Sequence, residues 1–349
     1  MKKIILITFL VLTFLMQISC FAQDSDQPVK SQYRIANKIH LDGDNGWDYI
    51  TCDETTNRLF VSHGNMVQVV DLSNNQLIGT IPDTKGVHGI VVANDLNKGF
   101  VSCGRDTSVV VFDLKTFAVT ATIKVTGINP DAILYDKFSN KVFTFNGRSS
   151  NSTVIDANTN SIVETIPLEG KPEFAVTDEK GKIYVNIEDK NLLCEINSNT
   201  LKVEQNWSIS PGDEPSGLAI DNENHRLFSV CGNKLMVIVD AISGKVITTV
   251  PIGDRVDGVA FDKIVNRAYS SNGDGTMTVV QGVKDNYVVL ENVPTQTGAR
   301  TIAVNSKTNH LYLPTAEFDP APEPTAENPH PRPKIKPGTF VILDVEYVK

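Results

Sequence analysis

Cysteine is scarce and unpatterned in this 349-residue chain. Cys20, Cys52, Cys103, Cys194 and Cys231 stand far apart, with no Cys-x-x-Cys pair among them. That spacing gives neither a cysteine zinc module nor a disulfide framework, and it leaves buried free thiols as the role of the last four. Basic charge is also short: 32 Lys and Arg stand against 41 Asp and Glu, for a net charge of -9. Nucleic-acid surfaces need a basic footprint, so that class of partner is excluded, and an anionic membrane surface with it. No Gly-x-Ser-x-Gly elbow, phosphate-cradling glycine loop or Cys-x-x-Cys-His haem site occurs. Three common enzyme classes lose their signature by that absence. Beyond the first two dozen residues, no stretch sustains the apolar period of a helix.

A long apolar run occurs at the start. Lys2 and Lys3 precede an apolar core over residues 4–16, and Cys20-Phe21-Ala22 ends in a small residue. This is the pattern of a secretory signal peptide, residues 1–22, cleaved after Ala22 and followed by a linker over 23–32. The core is too short for a stable membrane span. A lipoprotein reading would acylate Cys20, but Gln17 stands where that signal wants leucine. The expected location is periplasmic or secreted, and loss of Lys2 and Lys3 leaves the mature chain more acidic still.

What the chain does have is a period. Phe60, Phe100, Phe143, Tyr184, Phe228, Tyr269 and Tyr312 recur at intervals of 40 to 44 residues. An apolar-Asp pair recurs in phase at Val70-Asp71, Phe112-Asp113, Ile155-Asp156, Val239-Asp240 and Leu343-Asp344. Each unit reads as four short strands rich in Val, Ile, Thr and Phe, bounded by Gly, Pro, Asn or Asp. Four strands per unit of about forty residues is a propeller blade. The predicted fold is all-β, a seven-bladed β-propeller forming one domain over 33–349. The seventh unit supplies three strands, so residues 33–41 are expected to add its outer strand and close the ring, because an open ring would expose sheet edges.

The second strands carry Phe60-Val61-Ser62-His63, Tyr184-Val185-Asn186, Tyr269-Ser270-Ser271-Asn272 and Tyr312-Leu313-Pro314-Thr315. These stretches resemble the YVTN-repeat family of bacterial β-propellers across nearly the whole mature chain. The resemblance implies an exported propeller. Related seven-bladed propellers include lactonases, but no catalytic motif of theirs maps onto these residues.

Counting back from each aromatic marker to the turn that enters its blade gives Asp48, His88, Asp131, Glu173, Ser216, Asp257 and Arg300. One repeat position in seven blades is one ring at a channel mouth. The staked ligand-binding residues are Asp48, His88, Asp131, Glu173, Asp257 and Arg300, with Arg148 and Asn272 as partners from the loops after the second strands. Crowded carboxylates repel, and a cation or Arg300 would relieve them. A metal, if present, would use Asp48, Asp131, Glu173 and Asp257, and hard oxygen ligands would favour Ca²⁺ or Mg²⁺. His88 is a candidate base. A Pro-rich insertion over 317–337 interrupts the last blade and is expected to emerge on the same face, as a cover or as a partner-binding arm. The leading expectation is a binding protein for a small polar ligand or another exported protein. The alternative is a metal-assisted hydrolase or lyase, lactonase-like, using the same acids and His88.

Overall fold

A computed structural model describes residues 32–43, 45–283, 285–325 and 331–348. The proposed signal peptide, its cleavage site, Cys20 and most of the linker lie outside the described residues, as does the tip of the Pro-rich insertion at 326–330. Among the described residues, twenty-eight strands form seven four-stranded antiparallel sheets. Six sheets are built from consecutive strands. The seventh takes its outer strand, Tyr33–His40, from the N-terminal end and pairs it with Val341–Tyr347. The chain is an all-β seven-bladed propeller whose ring is closed in the expected way.

The aromatic marker is the third residue of every second strand, from Phe60 in Arg58–His63 to Tyr312 in His310–Thr315. All seven are buried. Their rings pack between neighbouring blades, as Phe60 does with Phe112 at 5.8 Å between centroids. Buried aromatic area of this size is a large share of what drives two sheets together. The apolar-Asp marker has a different task. Asp113, Asp156 and Asp240 end their third strands and accept backbone N–H groups two and three residues on. These are Asx turns, which let a short side chain stand in for a backbone acceptor.

The closing strand is held by more than its ladder. Arg267 donates to the Tyr33 hydroxyl at 2.6 Å, and Tyr33 and Tyr269 share a 2.9 Å hydrogen bond. Arg267 also lies over the Tyr347 ring at 4.7 Å. Residues from both ends of the chain therefore meet on the sixth blade's second strand. Among the described residues, no helix is long and apolar enough to cross a membrane.

Candidate functional site: a charged cup at the channel mouth

The innermost strands begin at the mouth, and a register shift sits at the start of five of them. The shifts fall between Val87 and Ile90, Pro130 and Ile133, Pro172 and Ala175, Pro215 and Leu218, and Val256 and Gly258. A bulge leaves residues unpaired and re-aims their side chains. The unpaired residues here include His88, Asp131, Glu173, Ser216 and Asp257. Asp48 and Arg300 precede the shorter inner strands Ile50–Asp53 and Ala303–Asn305.

Small side chains fix the backbone beneath. The Ser102 hydroxyl bonds the Asp131 carbonyl, Ser271 the Arg300 carbonyl, and Thr301 the Asp48 carbonyl. The Asn186 amide donates to the Ser216 carbonyl. Each link crosses from one blade to the next. The backbone carbonyls of Asp131, Arg300, Asp48 and Ser216 are thereby satisfied without using the ring's charged groups.

Those charged groups pair with one another. His88 Nδ1 lies 2.5 Å from Asp48 and 3.5 Å from Asp131. Arg300 reaches Asp48 at 3.3 Å and Asp257 at 3.2 Å. Ser216 donates to Asp257 at 2.7 Å. Lys171 forms a separate cluster beside them, 2.5 Å from Glu173 and also paired with Glu188. Asp48, Asp131, Glu173, Ser216, Asp257, Lys171 and Arg300 all line one cavity of about 830 Å³. Six of the staked residues therefore converge as the repeat position requires.

Burial and like charge set the proton affinities. Desolvation, with smaller repulsion from Asp48 and Asp257, raises the Asp131 carboxyl to about 6 against the pull of His88. Desolvation and then Asp131 raise Glu173 to about 8, although Lys171 opposes it. Burial alone would lower the His88 imidazole, but its hydrogen bond to Asp48 and the nearby carboxylates outweigh that and hold it at about 9. His88 is therefore an imidazolium at neutral pH, not the base its sequence context implied. The groups that titrate near neutrality are Asp131 and Glu173.

Two further staked features change. Asn272 is fully buried at the end of its strand and does not reach the ring. Its amide donates to Thr276 and Thr278, and it accepts from Ser270, all within the sixth blade. The sequence places it in a loop, whereas the register pairs it directly with Thr276. The four-carboxylate metal set also divides. Asp48 and Asp131 lie with His88 in one group whose ligand atoms are within 4.8 Å of one another, and Glu173 and Asp257 are not part of it. An ion there would have to displace the His88 proton and compete with Arg300 for Asp48.

Some of the site has no counterpart in the sequence reading. Tyr49 and Phe174 meet edge to face at 5.0 Å. They belong to the first and fourth blades and follow Asp48 and Glu173 in sequence, so they meet across the channel beside the ring, and Tyr49 lines the cavity. Burial, then Asp131, Asp257, Asp48 and Glu173, push the Tyr49 phenol well above its ordinary value, so it stays a neutral donor. Lys171 was not foreseen either; its signal is a cation two residues before a ring acid. The stem of the Pro-rich insertion covers one side. Phe318 and Ile335 form a single antiparallel bridge and line the cavity with Arg332 and Pro333. Trp47 anchors that stem, 6.0 Å from Phe318 and 5.3 Å from Phe340.

A second lobe of about 880 Å³, termed the upper lobe, adjoins the first, termed the lower lobe, and shares Gly46, Trp47, Asp48, Arg300 and Arg332 with it. Arg148 lines this lobe with Arg105, His88 and Asn129. Gly104 seats His88: a Cβ at that position would fall 2.6 Å from its Nε2.

No protein-family model matches the chain. Antigen Lp49 of Leptospira interrogans (serogroup Icterohaemorrhagiae serovar copenhageni, strain Fiocruz L1-130) is 29% identical over 125 residues, 34% of this chain and 27% of the antigen. The match thus spans about a quarter of that relative. Kuenenia stuttgartiensis hydrazine synthase contains a similar chain, with a TM-score of 0.69 at 17% identity over 78% of this chain and 94% of that one. A chain of the mitotic checkpoint complex matches with a TM-score of 0.74 at 12% identity, covering 98% and 100% of the two chains. Likeness at such identity carries the fold alone: the chain is a seven-bladed β-propeller with a stretch similar to part of a leptospiral antigen.

Proposed function

We propose that this protein binds a small polar molecule in the cup at the channel mouth, as an exported propeller of the YVTN-repeat type. The observation that carries the reading is the ring itself. Asp48, His88, Asp131, Glu173, Asp257 and Arg300 line or border connected cavities, and the backbone carbonyls of Asp48, Asp131 and Arg300 are held by other residues. Polar groups bought for structure alone would be spent on backbone amides. A few hundred cubic ångströms and convergent polar groups are what a small-molecule site needs. Export, with cleavage after Ala22, supports a ligand met in the periplasm or outside the cell.

A second reading is an enzyme of the hydrolase or lyase class. It is favoured by Asp131 and Glu173, whose carboxyls titrate near neutrality and could exchange protons with a bound substrate. A divalent cation on Asp48, His88 and Asp131 would supply Lewis acidity in that case.

Native mass spectrometry with elemental analysis of protein purified from its own compartment tests the first reading. A stoichiometric small molecule, lost on Asp131→Asn with the fold intact, is the expected result. A stoichiometric divalent metal would move the assignment to the second reading. Protein that carries neither, and whose binding to extracellular partners maps to the Pro-rich insertion, would overturn both.

A further inference from the structure

Nine arginines occur in the chain. Five have guanidiniums with a partner. Arg34 pairs with Glu346, and Arg226 with Asp240 and Asp285. Arg58 donates to the Leu114 carbonyl, Arg267 to Tyr33 and Gln281, and Arg300 pairs with Asp48 and Asp257. The guanidiniums of the other four, Arg105, Arg148, Arg255 and Arg332, make no hydrogen bond or close ion pair among the described residues, although the Arg255 charge acts on its neighbour Asp254. All four line the two lobes of the mouth.

The distribution is uneven in sign. The lower lobe holds the acids, and they are paired with His88, Arg300 and Lys171. The upper lobe is lined by Arg105, Arg148, Arg300 and Arg332 with His88, and Asp48 is its single acidic residue. Asp48 is already engaged by His88 and Arg300. In a chain of net charge -9, this one cavity carries surplus positive charge.

Three of its arginines come from three different segments: the second blade, the third blade and the stem of the insertion. Glycines make room for them. Gly86 has a φ of +64°, and a Cβ there would fall 2.6 Å from the Arg105 side chain. Guanidinium groups recognise planar or tetrahedral oxyanions with two parallel hydrogen bonds, which a solvated lysine does not. Unpaired guanidiniums cost little while they stay wet at a rim, and they gain most when an anion is drawn between them.

We propose that the upper lobe is a recognition site for a small polyanion, a molecule bearing two or more carboxylate or phosphate groups, with Arg105, Arg148 and Arg332 as its clamps. The inference rests on the ligand-binding reading of the cup and names the chemistry of its ligand. The lobe's volume of about 880 Å³ is in the range of metabolite-sized ligands.

Isothermal titration of the full mature chain with pyrophosphate and with citrate, at low ionic strength, tests it. Binding of at least one at a 1:1 ratio is expected. The Arg105→Gln, Arg148→Gln double variant should weaken it by about tenfold or more, because two charge-assisted contacts are lost. Arg34→Gln, whose partner is Glu346, should bind as the parent does. Preference for pyrophosphate or citrate separates a phosphate from a carboxylate ligand. Absence of binding by both anions, or equal binding by the double variant, overturns the anion site. Calcium chloride and a copurified neutral molecule, followed by native mass spectrometry, then separate the two failures. If either is retained in the cup, the broader reading stands without the polyanion; if neither is, both fall.

Discussion

The two ends of one strand show what the mouth spends its charge on. Pro130–Asp136 carries a carboxylate at each end. Asp136, at the face opposite the mouth, is wholly buried. It accepts from the Ser139 backbone at 3.1 Å, the Ser139 hydroxyl at 2.6 Å and the Thr177 hydroxyl of the next blade at 2.9 Å. Asp131, at the mouth, has no backbone donor among the described residues and faces His88 across 3.5 Å. Val256–Asp262 repeats the arrangement. Asp262 caps its turn through the Ile264 N–H, while Asp257 faces Arg300 and Ser216. Identical side chains a few residues apart are thus fastened to backbone at one face and left to other side chains at the other. Satisfied backbone contacts make structure; charged groups balanced only by each other in a cavity are free to change partners.

The core between the faces should dominate everything else. Phe143→Ala removes a fully buried ring between two blades and should cost roughly 3–5 kcal/mol, the range for a large buried aromatic. Urea denaturation checks it. A loss under 1 kcal/mol would break the comparison at its root, because neither face would then be held by a rigid scaffold.

Asn272→Ala sharpens the line between ring and scaffold. Asn272 lies toward the mouth end, yet its bonds are internal to the blade. We expect a loss of about 1–3 kcal/mol from the unsatisfied hydroxyls, and unchanged anion affinity. Altered affinity at unchanged stability would return Asn272 to the site.

The smallest effect separates two His–Asp pairs. His310 pairs with Asp344 at 2.5 Å, as His88 does with Asp48, but on the strand His310–Thr315 and away from the ring. The hydrogen bond to Asp344 raises the His310 imidazole above its ordinary value, against a smaller cost of burial. A raised histidine stabilises the fold fully below its unfolded pKa, and that contribution is lost as pH rises through the folded value. His310→Gln should therefore be less stable than the parent below about pH 6.5, with the gap closing at higher pH. A gap that widens with pH would contradict the pairing.

Much of this was legible in the residues. The aromatic marker occupies one place in every second strand, so the period gave blade number and register, and the strand missing from the seventh unit gave closure. The ring was legible for the same reason, since one repeat position becomes one radius in space. The misread residues fail where that logic stops. Asn272 looks like a loop residue because its strand is polar at the end, and only the pairing with Thr276 shows otherwise. Tyr49 and Phe174 lie in blades three apart, and no local pattern announces a contact across the channel. His88 was read as a base from its acidic neighbours, whereas those same neighbours keep its proton in place. The unpaired arginines are invisible in sequence, because an absent partner is a property of the folded surface.

The account stands or falls on the two aspartates of Pro130–Asp136. Asp136→Ala and Asp131→Ala should be denatured in urea side by side at neutral pH. Three donors lose their acceptor in the first, and we expect it to lose about 2–3 kcal/mol. The second removes a carboxylate with no backbone partner from the wall of the cavity, and we expect a change within about 1 kcal/mol. Equal losses at the two positions would mean that the mouth carboxylates are structural, and would contradict the claim that the ring is a site.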